Sequence, residues 1–94
     1  MTFEKLAKLV AEDFQKTMNE EGFTTFKEMK KCYCWDAQDI KDEVEEIVTI
    51  LNRQLYSEGE QNFYMSDDQT FLQIGIFDEM SWGEFKKLVF SNLN

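Results

Sequence analysis

Ninety-four residues with 10 Lys and Arg against 19 Asp and Glu, a net charge of −9 and no histidine leave room for one acidic domain and no second. That balance argues against a phosphate-binding surface, because affinity for nucleic acid comes mainly from Lys and Arg displacing condensed counterions, and it repels anionic lipid headgroups. A hydrophobic fraction of 43% with 15% aromatics separates the chain from disordered, charge-swollen sequences, so residues 1–94 are expected to fold as a single compact domain.

Phe3, Leu6, Ala7, Val10, Phe14 and Met18 recur at i, i+3 and i+4, the pattern of an amphipathic helix over residues 2–18. Gly22 after Glu20 and Glu21 supplies a left-handed stop. Thr25 and Glu28 have capping-box spacing ahead of a short second helix lined by Phe26, Met29 and Tyr33, ending near Cys34 and Trp35. Asp36 can cap a third helix, whose apolar set Ala37, Ile40, Val44, Ile47, Val48, Leu51 and Leu55 keeps the helical period for about five turns. After the loop Ser57–Glu60 the period changes. Segments 62–65 and 70–77 read as strands joined by Ser66-Asp67-Asp68-Gln69, the composition of a hairpin connection. In the second strand Leu72, Ile74 and Ile76 share one face, and Gly75 marks a bulge or a close backbone approach. Ser81 and Glu84 form another capping-box pair before a last helix carrying Trp82, Phe85, Leu88, Val89 and Leu93. The expected fold is therefore α+β, helix-rich, in the order α-α-α-β-β-α, with one antiparallel β-hairpin packed on helices.

Charges at Glu4, Lys5 and Lys8, followed by Glu12 and Asp13, leave no apolar core for a secretory signal. Apolar runs such as Ile74–Phe77 are far shorter than the roughly 20 residues of a spanning helix. The expected location is cytoplasmic, with Cys32 and Cys34 as reduced thiols at a helix end.

Catalysis at neutral pH most often recruits histidine, and the Ser-His and Cys-His pairs are absent here. Lys30 and Lys31 precede Cys32, the one arrangement that could activate a thiol. Two thiols without imidazole do not complete a tetrahedral zinc site in one chain. Asp67 and Asp68 have turn chemistry, Asp78 and Glu79 precede a helix start whose dipole favours acids, and the isolated glycines make no phosphate loop. The sequence accordingly predicts no catalytic residue, no cofactor and no metal.

The charge distribution is more informative. Residues 1–35 hold six acids and six lysines, whereas residues 36–94 hold 13 acids and four bases, so the whole net charge lies in the second segment. On the third helix Asp39, Asp42, Glu43 and Glu46 stand at i, i+3, i+4 and i+7, one stripe of carboxylates beside the apolar face. Like charges at this spacing cost an isolated helix about 0.2–0.5 kcal/mol per pair. Asp36 and Asp39 are accounted for by the helix dipole, and the rest has the character of a solvated face. The functional alternative is a row of carboxylates that imitates phosphates, since i to i+4 rises about 6 Å against about 3.4 Å per nucleotide step.

In size, acidity and lack of catalytic residues the chain resembles the small accessory proteins of bacteriophages and mobile elements, among which some anti-restriction and anti-CRISPR proteins are DNA mimics. The likeness is one of composition, and no family motif accompanies it. The leading expectation is a non-enzymatic acidic interaction module that binds a basic partner protein through Asp39, Asp42, Glu43 and Glu46, as a nucleic-acid mimic or inhibitor. The alternative is a self-associating structural or regulatory subunit, a homodimer through a hairpin edge and exposed aromatics such as Trp35, Tyr64, Phe71 or Trp82.

Overall fold

Helix α1 begins where the Thr2 hydroxyl accepts a hydrogen bond from the Lys5 amide, and it runs over Phe3–Glu21 in the computed structural model, which describes residues 1–93. It ends at Gly22, whose φ of 79° is a left-handed conformation that glycine adopts without a Cβ penalty. Leu6, Ala7, Val10, Ala11, Phe14 and Met18 are buried along one face. Thr25 caps α2 (Phe26–Cys32) by accepting from the Glu28 amide, while the Glu28 carboxylate reaches back to the Thr24 amide, one residue beyond a regular capping box. Helix α3 (Ala37–Tyr56) has the complete box: Asp36 accepts from the Asp39 amide at 2.8 Å, and Asp39 accepts from the Asp36 amide at 3.0 Å.

The turn from α2 to α3 carries a local strain. Trp35 donates to the Lys30 carbonyl and Cys34 to the Lys31 carbonyl, the paired bonds of a Schellman motif. Cys34 therefore occupies the left-handed position, φ 57°, where glycine is usual. Trp35 in exchange joins an aromatic cluster, 5.2 Å from Tyr33 and 6.2 Å from Phe14 between ring centroids. Phe26 extends that cluster to Phe14 at 5.2 Å and to Phe90 at 5.1 Å, fastening α1, α2 and the last helix together.

The sheet is a three-stranded antiparallel meander, β1 (Phe63–Met65), β2 (Phe71–Ile74) and β3 (Asp78–Ser81), with β2 central. Phe63, Met65, Leu72 and Ile74 fill its inner face. Helix α3 lies along β1, and α4 (Trp82–Ser91), capped by Ser81, packs on β2, β3 and α1. The fold is thus α+β in the order α-α-α-β-β-β-α.

The third strand is absent from the sequence-based expectation, which reads Asp78 and Glu79 as acids preceding a helix and continues the second strand to Phe77. Instead β2 stops at Ile74, Gly75 turns at φ 63°, and Asp78 pairs with Ile74. Acidic residues have poor strand propensity. An edge position tolerates them, and their charge discourages further edge pairing. Ile76 leaves the face it was expected to share with Leu72 and Ile74 and stands in the turn, 78% exposed.

Candidate partner-binding surface

The acidic stripe of α3 divides by employment. Asp39 is occupied at the capping box. Asp42 lies on the side of the helix that meets the β1–β2 turn, where it accepts hydrogen bonds from Gln69 and Gln38, both at 2.9 Å. Gln38 also donates to Gln69 at 2.7 Å, closing a three-residue clamp between helix and turn. The Gln69 bond, then the Gln38 bond, hold the Asp42 carboxyl below its ordinary value. Gln69 sits at φ 59°. A left-handed glutamine is unfavourable by about 1–2 kcal/mol, and this clamp is the contact that offsets it.

Glu43 and Glu46 have no such employment. Among the described residues neither makes a side-chain hydrogen bond, and the ion pairs are those of Glu60 with Lys5 and with the Met1 amino group. No lysine of the neutral N-terminal third neutralises the stripe. The Glu43 carboxyl is instead pushed up, first by burial and then by the charges of Glu46, Asp39, Asp42 and Asp13. Asp13 belongs to α1 and joins the stripe only because α1 and α3 pack side by side. No periodicity along α3 could have located it. The surface is therefore a ridge centred on Glu43 and Glu46, extended by Asp13, with Asp39 and Asp42 as members that also serve the fold.

The opposite charge collects elsewhere. A cleft of about 340 Å³ between α2, the start of α3 and α4 is floored by Phe26, Ile40 and Phe90 and rimmed by Lys27, Lys30 and Lys86. Lys27 and Lys30 also line the adjacent hollow with Lys31, Cys34, Trp35 and Asp36. Cys32 and Cys34 are free and exposed at the end of α2. Among the described residues no cluster of three or more His, Cys, Asp or Glu side chains could hold a metal ion.

The aromatics singled out from sequence are mostly engaged. Trp35 is half-buried in the aromatic cluster, and Trp82 is half-buried with the Lys41 ammonium 5.8 Å from its ring centroid. Phe71 is half-buried on the outer sheet face, while Tyr64 is exposed beside it and donates to Gln73 at 3.1 Å. The most exposed large apolar residue is Phe77, at 89%. No helix among the described residues is long and apolar enough to cross a membrane. No protein family, curated protein or solved structure matches this chain.

Proposed function

We propose that this protein is a non-enzymatic interaction module whose α3 ridge binds a basic partner protein, in the manner of a nucleic-acid mimic. One observation carries the reading: Glu43 and Glu46 sit among Asp13, Asp39 and Asp42 without an ion pair to any of the five among the described residues, and the Glu43 carboxyl is held above its ordinary value, first by burial and then by these like charges. At Glu43 and Glu46 the fold sustains a repulsion that no hydrogen bond or ion pair of theirs among the described residues relieves. A partner presenting Lys or Arg relieves it on docking. Binding then lowers the Glu43 value, so the complex weakens as the solution is acidified and the ridge takes up protons.

Location inside the cytoplasm and an inhibitory role fit this reading, since a basic nucleic-acid-binding groove is the surface that such a ridge would occupy. The test is capture of partners from a lysate of the native source at low salt, followed by a high-salt wash. Screening shortens from about 10 Å at 0.1 M to about 3 Å at 1 M, so a basic, nucleic-acid-binding protein released by the wash is the expected result. Recovery of the protein alone, resistant to salt, overturns the reading.

A further inference from the structure

The β2–β3 turn and the lysine-rimmed cleft are complementary, and the geometry points to a head-to-tail contact between two copies of this chain: the turn of one copy docks into the cleft of the next. The turn presents Ile76 and Phe77, 78% and 89% exposed, followed at once by the exposed carboxylates Asp78 and Glu79. The cleft presents the inverse order of chemistry, an apolar floor of Phe26, Ile40 and Phe90 under Lys27, Lys30 and Lys86. None of these lysines takes part in an ion pair among the described residues. Phe77 supplies a ring for the Phe26–Phe90 floor, and the acids that follow it meet the rim.

The turn cannot fill the cleft of its own chain. The Gly75 amide donates to the Asn62 carbonyl at 2.7 Å, and the Asn52 side chain donates to that of Asn62 at 2.9 Å, which ties the turn to the fifth turn of α3. The cleft lies beside Ile40 in the first turn of that helix, about 18 Å away along its axis at 1.5 Å per residue. Occupant and receptor stand toward opposite ends of the helix, so the occupant comes from a second molecule. The contact uses two different patches and leaves one of each free, so it propagates into short chains unless the rotation closes a ring. Two apolar side chains and a few ion pairs cover less than the roughly 1,200 Å² of a stable interface; the association is weak and reversible. The net charge of −9 opposes it at low ionic strength, whereas a Debye length of about 8 Å at physiological salt leaves mainly the local pairing.

The contact is independent of the α3 ridge, and sedimentation of the full chain at physiological salt, from micromolar to millimolar concentration, tests it. The average mass is expected to rise with concentration and to stay that of the monomer for Phe77→Ser and for Lys27→Glu with Lys30→Glu, all exposed positions whose circular dichroism should match the parent. Mixing the Lys27→Glu, Lys30→Glu chain with an Asp78→Lys, Glu79→Lys chain should restore a complex that neither forms alone. A wild-type mass that stays constant, self-association that survives Phe77→Ser, or a charge-swapped mixture that stays monomeric each overturns the proposal. Glu43→Lys with Glu46→Lys should leave self-association unchanged, which separates this contact from the ridge.

Discussion

At the β1–β2 turn the Ser66 hydroxyl donates to Asp68 at 2.8 Å and accepts from the Thr70 and Phe71 amides, while Gln69 ties the turn to α3. At the β2–β3 turn Ile76 and Phe77 project into solvent. Both turns reverse the chain between antiparallel strands of one sheet. The first spends its side chains on its own geometry, and Ser66 is the one buried polar residue of the molecule among those described. The second is held at Gly75, at positive φ with its amide on Asn62 and its carbonyl accepting from the Gln73 side chain, so the side chains of Ile76 and Phe77 remain unspent. The turn whose Ser66, Asp68 and Gln69 side chains are engaged is part of the fold; two adjacent apolar side chains left in water are the surface that the proposed self-contact would use.

The difference is sharpest on substitution. Ser66→Ala removes the acceptor shared by two backbone amides and should lower unfolding stability by about 2 kcal/mol, read from urea midpoints. Phe77→Ser, by contrast, should change stability by less than about 0.5 kcal/mol while abolishing self-association. A large loss of stability in Phe77→Ser would mean that the turn is structural after all.

Acid separates the hydrogen-bonded carboxylates Asp68 and Asp42 from the unrelieved Glu43 by sign. Asp68 is held below its ordinary value by bonds from the Thr70 side chain, Ser66 and the Thr70 amide, and Asp42 by Gln69 and Gln38. Their stabilising contributions are present above the unfolded carboxylate range, near pH 3.9 (an approximate reference value), and are lost as pH falls through their lower folded values. Glu43 has a raised folded value. Its contribution is present below the unfolded value of about 4.3 and is lost as pH rises through the folded one. Thermal unfolding between neutral and acid pH should therefore show Asp68→Asn less stable at neutrality with a flatter acid limb, and Glu43→Gln more stable at neutrality. The same sign for both would contradict the assignment of burial and like charge as the cause at Glu43.

Most of the fold was legible in the sequence because its helices carry long apolar periods and, at Thr25, Asp36 and Ser81, side-chain caps; the cap at Thr2 was not, since the helical pattern over residues 2–18 places that residue inside the helix. Strand β3 was not, since Asp78 and Glu79 are allowed there by an edge position that only the finished sheet defines. Of the candidate site, the spacing of Asp39, Asp42, Glu43 and Glu46 was readable, but their different employments were not. The cap on Asp39 is local and follows from Asp36. The clamp on Asp42 depends on Gln69, 27 residues away, and the addition of Asp13 depends on the packing of α1 against α3. The lysine-rimmed cleft was hidden for the same reason, being assembled from three helices.

The ridge is the central claim, and the affinity of the captured basic partner for the wild-type chain and for Glu43→Lys with Glu46→Lys tests it most directly. These two positions are chosen because neither serves a cap or a clamp, so circular dichroism should be unchanged. Close charge pairs at interfaces couple by about 1.5 kcal/mol or more, and the double reversal is predicted to weaken binding by at least about a hundredfold. Unaltered affinity with an unchanged spectrum would contradict the account.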